Sequence, residues 1–232
     1  MAEGIEEVLV LPFDNEFSKL TAEQFVKTIL VDKLDARAVL VGDNFRFGNR
    51  QAGDTALLRR LGEQYGFSIE IIDPVKYRHH PVSSTEVRRL ILDGNVSLAA
   101  RLLSRPYSLE GNVVPGRGVG SKQTVPTLNL STLGEVIPAN GVYVTRTIDL
   151  DSIRTWQSVT NIGYRPTFDD SSTLSIETFL LEPLEGESPK RIRVELLHHL
   201  RAERKFESVD ALKKQILHDA ERARQFFRLL GD

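Results

Sequence analysis

The segment Gly116–Lys122 has the residue types of an anion-binding loop. Glycine occupies every second position, at Gly116, Gly118 and Gly120. Alternating glycines free the backbone, so that successive N–H groups can point at a phosphate, and Lys122 adds positive charge. A flexible hairpin loop with solvated charges explains the same residues, and both interpretations remain open. The segment is not a Walker A loop, because the spacing to the lysine and the helix that follows such a loop are missing.

A second candidate is the short run Pro126-Thr127-Leu128-Asn129. On an extended backbone the side chains of Thr127 and Asn129 point to the same side, since side chains repeat with period two. A hydroxyl and an amide oxygen then lie next to each other, and Mg²⁺ takes oxygen ligands of this kind together with phosphates and water. The alternative interpretation is a polar turn.

A third candidate is Glu177, which lies in the alternating segment Leu174–Leu181. The alternation predicts a half-buried strand, with Glu177 on the same face as Ser175 and Phe179. A single carboxylate in a strand is usually solvated. Next to a bound alcohol, the same carboxylate could act as a general base or orient the hydroxyl for attack.

The fourth candidate is the charged segment Leu200–Phe206, which contains Arg201. One interpretation is a charged connection between a strand and a helix. The other is an arginine that points at a ligand, with Phe206 packing nearby.

Short strands separated by Gly, Pro and Asn turns predict a small barrel or sandwich in the second half of the chain. A closing helix is predicted over Ser208–Leu230, because its apolar residues fall on one face. The predicted strands are Tyr107–Val114, Gly141–Ile148, Trp156–Ile162, Leu174–Leu181 and Arg191–Leu197.

The first half has a different pattern, in which strands alternate with helices, as in a Rossmann-like parallel sheet. The change of pattern near Asn95–Arg105 predicts two domains, 1–100 and 101–232. The predicted buried strands are Val8–Leu11 and Ala38–Val41, with a third strand at Ser68–Ile72. The predicted helices are Thr21–Asp32, with a Thr21–Gln24 capping box, Asp54–Tyr65 and Ser84–Leu92.

The composition narrows the classes of function. With 41% hydrophobic and 27% charged residues, the chain has the make-up of an ordinary globular protein. A net charge of −2 and the lack of an aromatic-basic stripe argue against a nucleic-acid-binding barrel. No apolar stretch approaches the roughly 20 residues that cross a bilayer, so no membrane partner is expected. The absence of cysteine excludes disulfides and suits the cytoplasm. The oligomeric state does not follow from the sequence.

In order along the chain, the four candidate segments resemble the riboflavin kinase domain. Positions 118–130 match its nucleotide and metal signature, Gly-x-Gly-Ser-Lys-Gln followed by Pro-Thr-x-Asn-Leu. Asn161–Phe168 is similar to its N-I-G-x-R-P-T-F segment, Ile176-Glu177 to the strand with its catalytic glutamate, and Leu200–Phe206 to the segment before its last helix. The resemblance implies a six-stranded antiparallel barrel with a C-terminal helix. It also implies transfer of the ATP γ-phosphate to the 5′-hydroxyl of riboflavin, which gives FMN.

The resemblance also implies roles for individual residues. ATP would lie along the glycine loop, Thr127 and Asn129 would sit at the Mg²⁺–phosphate site, and Glu177 would accept the hydroxyl proton. Arg201 would sit near the flavin. The nucleotide-binding set is Gly116, Gly118, Gly120, Ser121, Lys122, Thr127 and Asn129. The segment Gln123–Pro126 has no glycine, whereas bacterial members usually have one before Pro-Thr, so the loop is expected to hold ATP somewhat differently.

The first half resembles the nucleotidyltransferase module of bacterial bifunctional riboflavin kinase/FAD synthetases. Val41–Gly48 is similar to its G-x-D/N-F-R-F-G segment, and Ser83–Arg88 to its S-S-T-x-I-R segment. Hydroxyls at a helix N-terminus can hold phosphate, although simple N-capping explains them equally well. The residues implied for this module are Asn44, Phe45, Arg46, Ser83, Ser84, Thr85 and Arg88.

That module normally opens with an H-x-G-H motif, and no such motif precedes Val8. We therefore expect an incomplete module, with little or no FAD synthetase activity in this polypeptide. A full bifunctional enzyme and a flavin-binding module without kinase chemistry are the alternatives. The pairs His79-His80 and His198-His199 are not expected to bind metal, because adjacent side chains on a strand point to opposite faces.

Overall fold

The computed structural model describes residues 4–115, 127–132, 136–166, 172–204 and 206–231. The predicted glycine loop, Gly116–Lys122, lies outside these ranges. The chain forms two compact units, residues 1–75 and residues 76–232.

The first unit is a small α/β structure. Helix α1 (Ala22–Phe25) begins at the predicted capping box, where the backbone N–H of Gln24 donates to Thr21 Oγ1 at 3.1 Å and that of Thr21 to Gln24 Oε1 at 2.9 Å. The helix continues as a π-helical segment, Val26–Lys33. Strand β1 (Ala38–Gly42), helix α2 (Thr55–Tyr65) and strand β2 (Ser68–Ile72) follow, and β1 pairs with β2 in parallel.

The prediction of a buried strand at Val8–Leu11 is wrong. This segment has no strand structure, and Val8 and Val10 are 59% and 82% exposed. Within the described ranges β1 and β2 form a two-stranded sheet that Val8–Leu11 does not join. An apolar run becomes a strand only where a neighbouring strand takes its backbone hydrogen bonds, and that partner cannot be read from the run itself.

The second unit opens with a short hairpin and two helices. Strands β3 (Lys76–Tyr77) and β4 (His80–Pro81) pair, and helix α3 (Ser84–Leu92) has the predicted bounds. Helix α4 (Val96–Leu103) lies in the region that the sequence pattern indicated only as a boundary, and the Asn95 side chain caps its N-terminus.

The predicted six-stranded antiparallel barrel is confirmed. Its strands close in the order β10-β5-β6-β9-β8-β7, and every pairing is antiparallel. The strands are β5 (Tyr107–Val114), β6 (Thr127–Thr132), β7 (Gly141–Asp149), β8 (Thr155–Pro166), β9 (Ser172–Leu180) and β10 (Arg191–Ala202). Strand β6 contains the Thr127–Asn129 run, so the polar-turn interpretation of that run is wrong.

The barrel interior contains a row of hydroxyl groups within an apolar core. Five side chains from β7, β8 and β9 are fully buried, and their hydroxyls form a continuous chain with oxygen–oxygen distances of 2.8–2.9 Å. Within this chain Ser158 Oγ also donates to the backbone carbonyl of Thr145 at 2.9 Å. Its members are Thr147, Ser158, Thr145, Thr160 and Thr178.

Helix α5 (Val209–Leu230) packs on the outside of the barrel. Ala220, Ala223 and Phe227 are buried against outward-facing residues of β7 and β8, including Val144 and Val159. The predicted apolar face of this helix is thereby confirmed. The outer face of these strands is covered by α5 and the inner face by the core, so both sides of this part of the barrel are buried.

Candidate active site

A cavity of about 340 Å³ lies between the outer face of the barrel and α5. Polar side chains from β6, β8, β9 and the β10–α5 connection line it together with apolar ones. It brings together three residues that the sequence indicated separately, which are Thr127, Glu177 and Arg201.

Glu177 occupies the centre of a row of polar residues across three strands. In the register of the barrel, Asn129 of β6 and Asn161 of β8 stand directly opposite it on either side. Side chains directly opposite each other in an antiparallel pair are neighbours on one face. Ser175 Oγ donates to Glu177 Oε1 at 3.1 Å, which confirms that these two residues share a face.

Thr127 and Asn129 follow the predicted period-two arrangement on β6. Asn129 pairs with Glu177 and Thr127 with Phe179, and Glu177 and Phe179 both line the cavity. A hydroxyl and an amide therefore stand on the strand that adjoins the carboxylate. This oxygen donor set fits a hard cation whose other ligands are phosphate and water.

Arg201 lies on the outer face of β10, after two irregularities in that strand. Its pairing with β7 shifts between Leu196 and His198, and again between His199 and Arg201. After the second shift Arg201 pairs with Val142, which belongs to the outer face that packs under α5. Each β-bulge adds one residue to one strand and reverses the facing of the residues that follow, so the two shifts together return Arg201 to the outer face.

A buried carboxylate on α5 holds Arg201 in place. Asp219 Oδ2 accepts hydrogen bonds from Arg201 Nε at 2.9 Å and from Nη2 at 2.7 Å. Asp219 Oδ1 accepts from Gln215 Nε2 at 2.6 Å, and Gln215 Oε1 accepts from Arg204 Nη2. The predicted packing of Phe206 near Arg201 is also found, with the guanidinium carbon 5.8 Å from the ring centroid.

The sequence did not single out the cavity residues Asp219 and Glu203, nor Gln215, which hydrogen-bonds to Asp219. Glu203 approaches the backbone of β8 where that strand has Gly163, since a Cβ built on this glycine would lie 2.5 Å from Glu203 Oε1. Gly163 belongs to the quoted N-I-G segment, which was the available signal. For Asp219 the sequence held no signal beyond its position near the middle of a helix.

Comparison with known proteins identifies the family. Residues 103–227 match the family model described as riboflavin kinase, and residues 1–86 match the model described as FAD synthetase. The chain belongs to the bifunctional riboflavin kinase/FMN adenylyltransferase family. Membership gives it riboflavin kinase activity, with riboflavin as the substrate and FMN as the product.

Relatives in this family match almost the whole chain. The bifunctional riboflavin kinase/FMN adenylyltransferase of Buchnera aphidicola (subsp. Schizaphis graminum) is 34% identical over 97% of this chain and 73% of its own length. The Escherichia coli K12 protein is 37% identical over 97% of this chain and 72% of its own length. A crystal structure from Streptococcus pneumoniae, described as a macrolide-efflux protein, matches with a TM-score of 0.84 and 30% identity, over 96% of this chain and 71% of that one.

The residues implied for the adenylyltransferase module of this family fall in two places. Asn44, Phe45 and Arg46 follow β1 in the first unit, where the Phe45 ring stacks on Phe47 at 5.4 Å. Ser83, Ser84, Thr85 and Arg88 lie at the start of α3 in the second unit. Ser83 Oγ accepts from the backbone N–H of Glu86 at 3.2 Å, so N-capping is present at this helix.

Glu86 on α3 is expected to make the stability of the fold sensitive to acid. Hydrogen bonds from Arg89, and then from His80, lower the pKa of this carboxyl from 4.5 to about 2. A carboxyl with a lower pKa in the folded state stabilises the fold above its unfolded pKa, and this contribution is lost as the pH falls from about 4.5 to about 2. We expect Glu86→Gln to remove this part of the acid sensitivity in thermal unfolding. The difference in unfolding midpoint between Glu86→Gln and wild type should therefore change between pH about 4.5 and pH about 2. A difference that is the same at both pH values would contradict this role of Glu86.

Within the described residues, no group of three or more His, Asp or Glu side chains could hold a metal ion. His198 stacks on Phe226 of α5, whereas His199 contacts Tyr143, so this pair points in two directions as expected. Burial lowers the pKa of both imidazoles.

No helix in the described ranges is both long enough and apolar enough to cross a membrane.

Proposed function

We propose that the cavity under α5 binds riboflavin and that Glu177 is the general base of its phosphorylation. The carboxylate of Glu177 accepts the proton of the ribityl 5′-hydroxyl as the hydroxyl oxygen bonds to the γ-phosphorus of ATP. The bond from that phosphorus to the bridging oxygen breaks, and ADP leaves. The supporting observation is that Glu177, Thr127 and Arg201 line one cavity.

ATP and Mg²⁺ belong to this proposal. Thr127 and Asn129 would hold the cation, which neutralises phosphate charge as the γ-phosphoryl group is transferred. The ATP phosphates would lie along Gly116, Gly118, Gly120, Ser121 and Lys122. Phosphoryl transfer depends on positioning and charge neutralisation, and the Glu177–Asn129 register supports the positioning part of this requirement.

We further propose that residues 101–232 form the kinase domain and residues 1–100 the adenylyltransferase module, and that the protein works in the cytoplasm on small-molecule substrates. A flavin-binding module without kinase chemistry is the rival function. The polar row of Asn129, Glu177 and Asn161 favours the kinase, because binding alone does not require a carboxylate that can accept a proton beside two amide side chains.

The test is incubation of the chain with riboflavin, ATP and Mg²⁺, followed by separation of riboflavin, FMN and FAD. We expect FMN, formed in equal amount with ADP, and no FMN when Mg²⁺ is removed by a chelator. Riboflavin that binds but stays unphosphorylated would establish the rival function. The amount of FAD in the same separation tests the expectation of little or no FAD synthesis.

A further inference from the structure

Asp219 is a buried carboxylate with an unusual set of partners. The residue is 2% exposed, and both of its carboxylate oxygens accept hydrogen bonds from side chains. A buried charge is costly unless it is paired and fully hydrogen-bonded. Among the described residues, Arg201 and Gln215 supply these hydrogen bonds to Asp219, so the positions of the three side chains depend on one another.

The two partners connect Asp219 to the wall of the cavity. Arg201 is bound directly, and Arg204 is bound through Gln215. Both guanidinium groups lie near the Phe206 ring, with carbon-to-centroid distances of 5.8 Å for Arg201 and 4.8 Å for Arg204. The three side chains Arg201, Arg204 and Phe206 line the cavity and are referred to below as the arginine wall.

We propose that Asp219 is a positioning residue for the kinase reaction, which orients the arginine wall towards riboflavin. The inference rests on the proposed function, since it assumes that this cavity takes the flavin. Asp219 acts on the substrate through Arg201 and Arg204. In its absence the two cationic side chains regain rotamer freedom, and binding of riboflavin must then restrict them again.

A charge-neutral variant, Asp219→Asn, tests this role. We expect the KM for riboflavin to rise about 10–100-fold, as for the loss of charge-assisted hydrogen bonds, with little change in the KM for ATP and in kcat. A loss of folded protein alone lowers the apparent kcat and leaves both KM values unchanged. A rise of the KM for riboflavin without a rise of the KM for ATP therefore distinguishes a positioning role of Asp219 from an effect on stability alone.

A second background tests whether the effect passes through the arginines. In a chain that carries Arg201→Met and Arg204→Met, we expect Asp219→Asn to leave the riboflavin KM as it is, because the groups that Asp219 orients are gone. Additive effects of the three changes would overturn the inference. Asp93→Asn is the matched control, since it breaks a 2.7 Å ion pair with Arg89 on α3, and it should change neither KM.

If Asp219→Asn does not fold, Gln215→Ala takes its place at a half-buried position of α5. It removes the Gln215 bonds to Asp219 and Arg204 but leaves both bonds between Asp219 and Arg201 in place, so we expect a smaller rise of the riboflavin KM, about 3–10-fold, again without a change for ATP. If an active Gln215→Ala or Asp219→Asn enzyme has an unchanged KM for riboflavin, the positioning role of Asp219 is overturned, whereas the proposed kinase function is not. A wild-type chain that forms no FMN defeats the proposed function instead.

Discussion

Glu177→Gln is expected to lower kcat for FMN formation by about 10²–10⁴-fold, which is the usual contribution of a general base. The amide has nearly the same shape as the carboxylate and can accept the hydrogen bond from Ser175. It cannot take the proton of the attacking hydroxyl. Riboflavin affinity, measured by quenching of flavin fluorescence, should stay nearly unchanged.

Glu110→Gln is the matched control for this experiment. Glu110 is a half-exposed carboxylate on β5 that pairs with Arg193 at 2.6 Å and does not line the cavity. The same change of chemistry there should leave kcat close to the wild-type value. If Glu177→Gln keeps a kcat close to that of the wild type, Glu177 is not the general base. It would then only orient the hydroxyl of riboflavin.

Thr160→Val is expected to lower the free energy of unfolding of the barrel by about 2–4 kcal/mol. Thr160 stands in the middle of the buried hydroxyl chain, between Thr145 at 2.8 Å and Thr178 at 2.9 Å. Valine has the same shape but no hydroxyl, so the fully buried Thr178 loses its hydroxyl partner. An unsatisfied buried donor costs about 1–3 kcal/mol, and the lost bond to Thr145 adds to that cost.

Trp156 offers a probe that is specific to the barrel, because it is the only tryptophan of the chain and is buried in the interior core. Urea unfolding followed by its fluorescence should give the effect of Thr160→Val. Thr155→Val, the same substitution at an exposed position of β8, should change the unfolding free energy by less than about 0.5 kcal/mol.

A double variant distinguishes a lost hydrogen bond from poor packing. Adding Thr178→Val to Thr160→Val removes the orphaned hydroxyl, and replacement of both partners by apolar groups of similar shape is often close to neutral. We therefore expect the double variant to be no less stable than Thr160→Val alone. Two additive losses would show that the hydroxyl chain does not act as a unit.

The alternation of polar and apolar residues predicted most of the barrel, and the reason is physical. Strands with one face in the core repeat with period two, and this pattern was sufficient for β5, β7, β9 and most of β10. It also placed Glu177 with Ser175, and Thr127 with Asn129. These predictions are confirmed because each depends only on residues close together in sequence.

The features that the sequence did not predict depend on distant partners. Two register shifts in β10 break the alternation locally and turn His199 towards Tyr143 of the core, which counting along the strand does not predict. Asp219 is one of several acidic residues on α5, and only its burial against Arg201 distinguishes it. The interior threonines have the residue type of surface positions, so the sequence alone does not predict their burial. They are buried because strands distant in sequence pair to close the barrel.

The closure of the barrel has a consequence for biosynthesis. Strand β5 pairs with β6 on one side and with β10 on the other, and about 80 residues separate the end of β5 from the start of β10. A ribosome adds roughly 5–20 residues per second, so one edge of β5 waits roughly 4–16 s for its partner. An unpaired strand edge is a template for aggregation. We infer that chaperones bind a nascent chain that is stalled before Arg191. We infer that they do not bind a chain whose strand β10 has emerged from the ribosome and paired with β5.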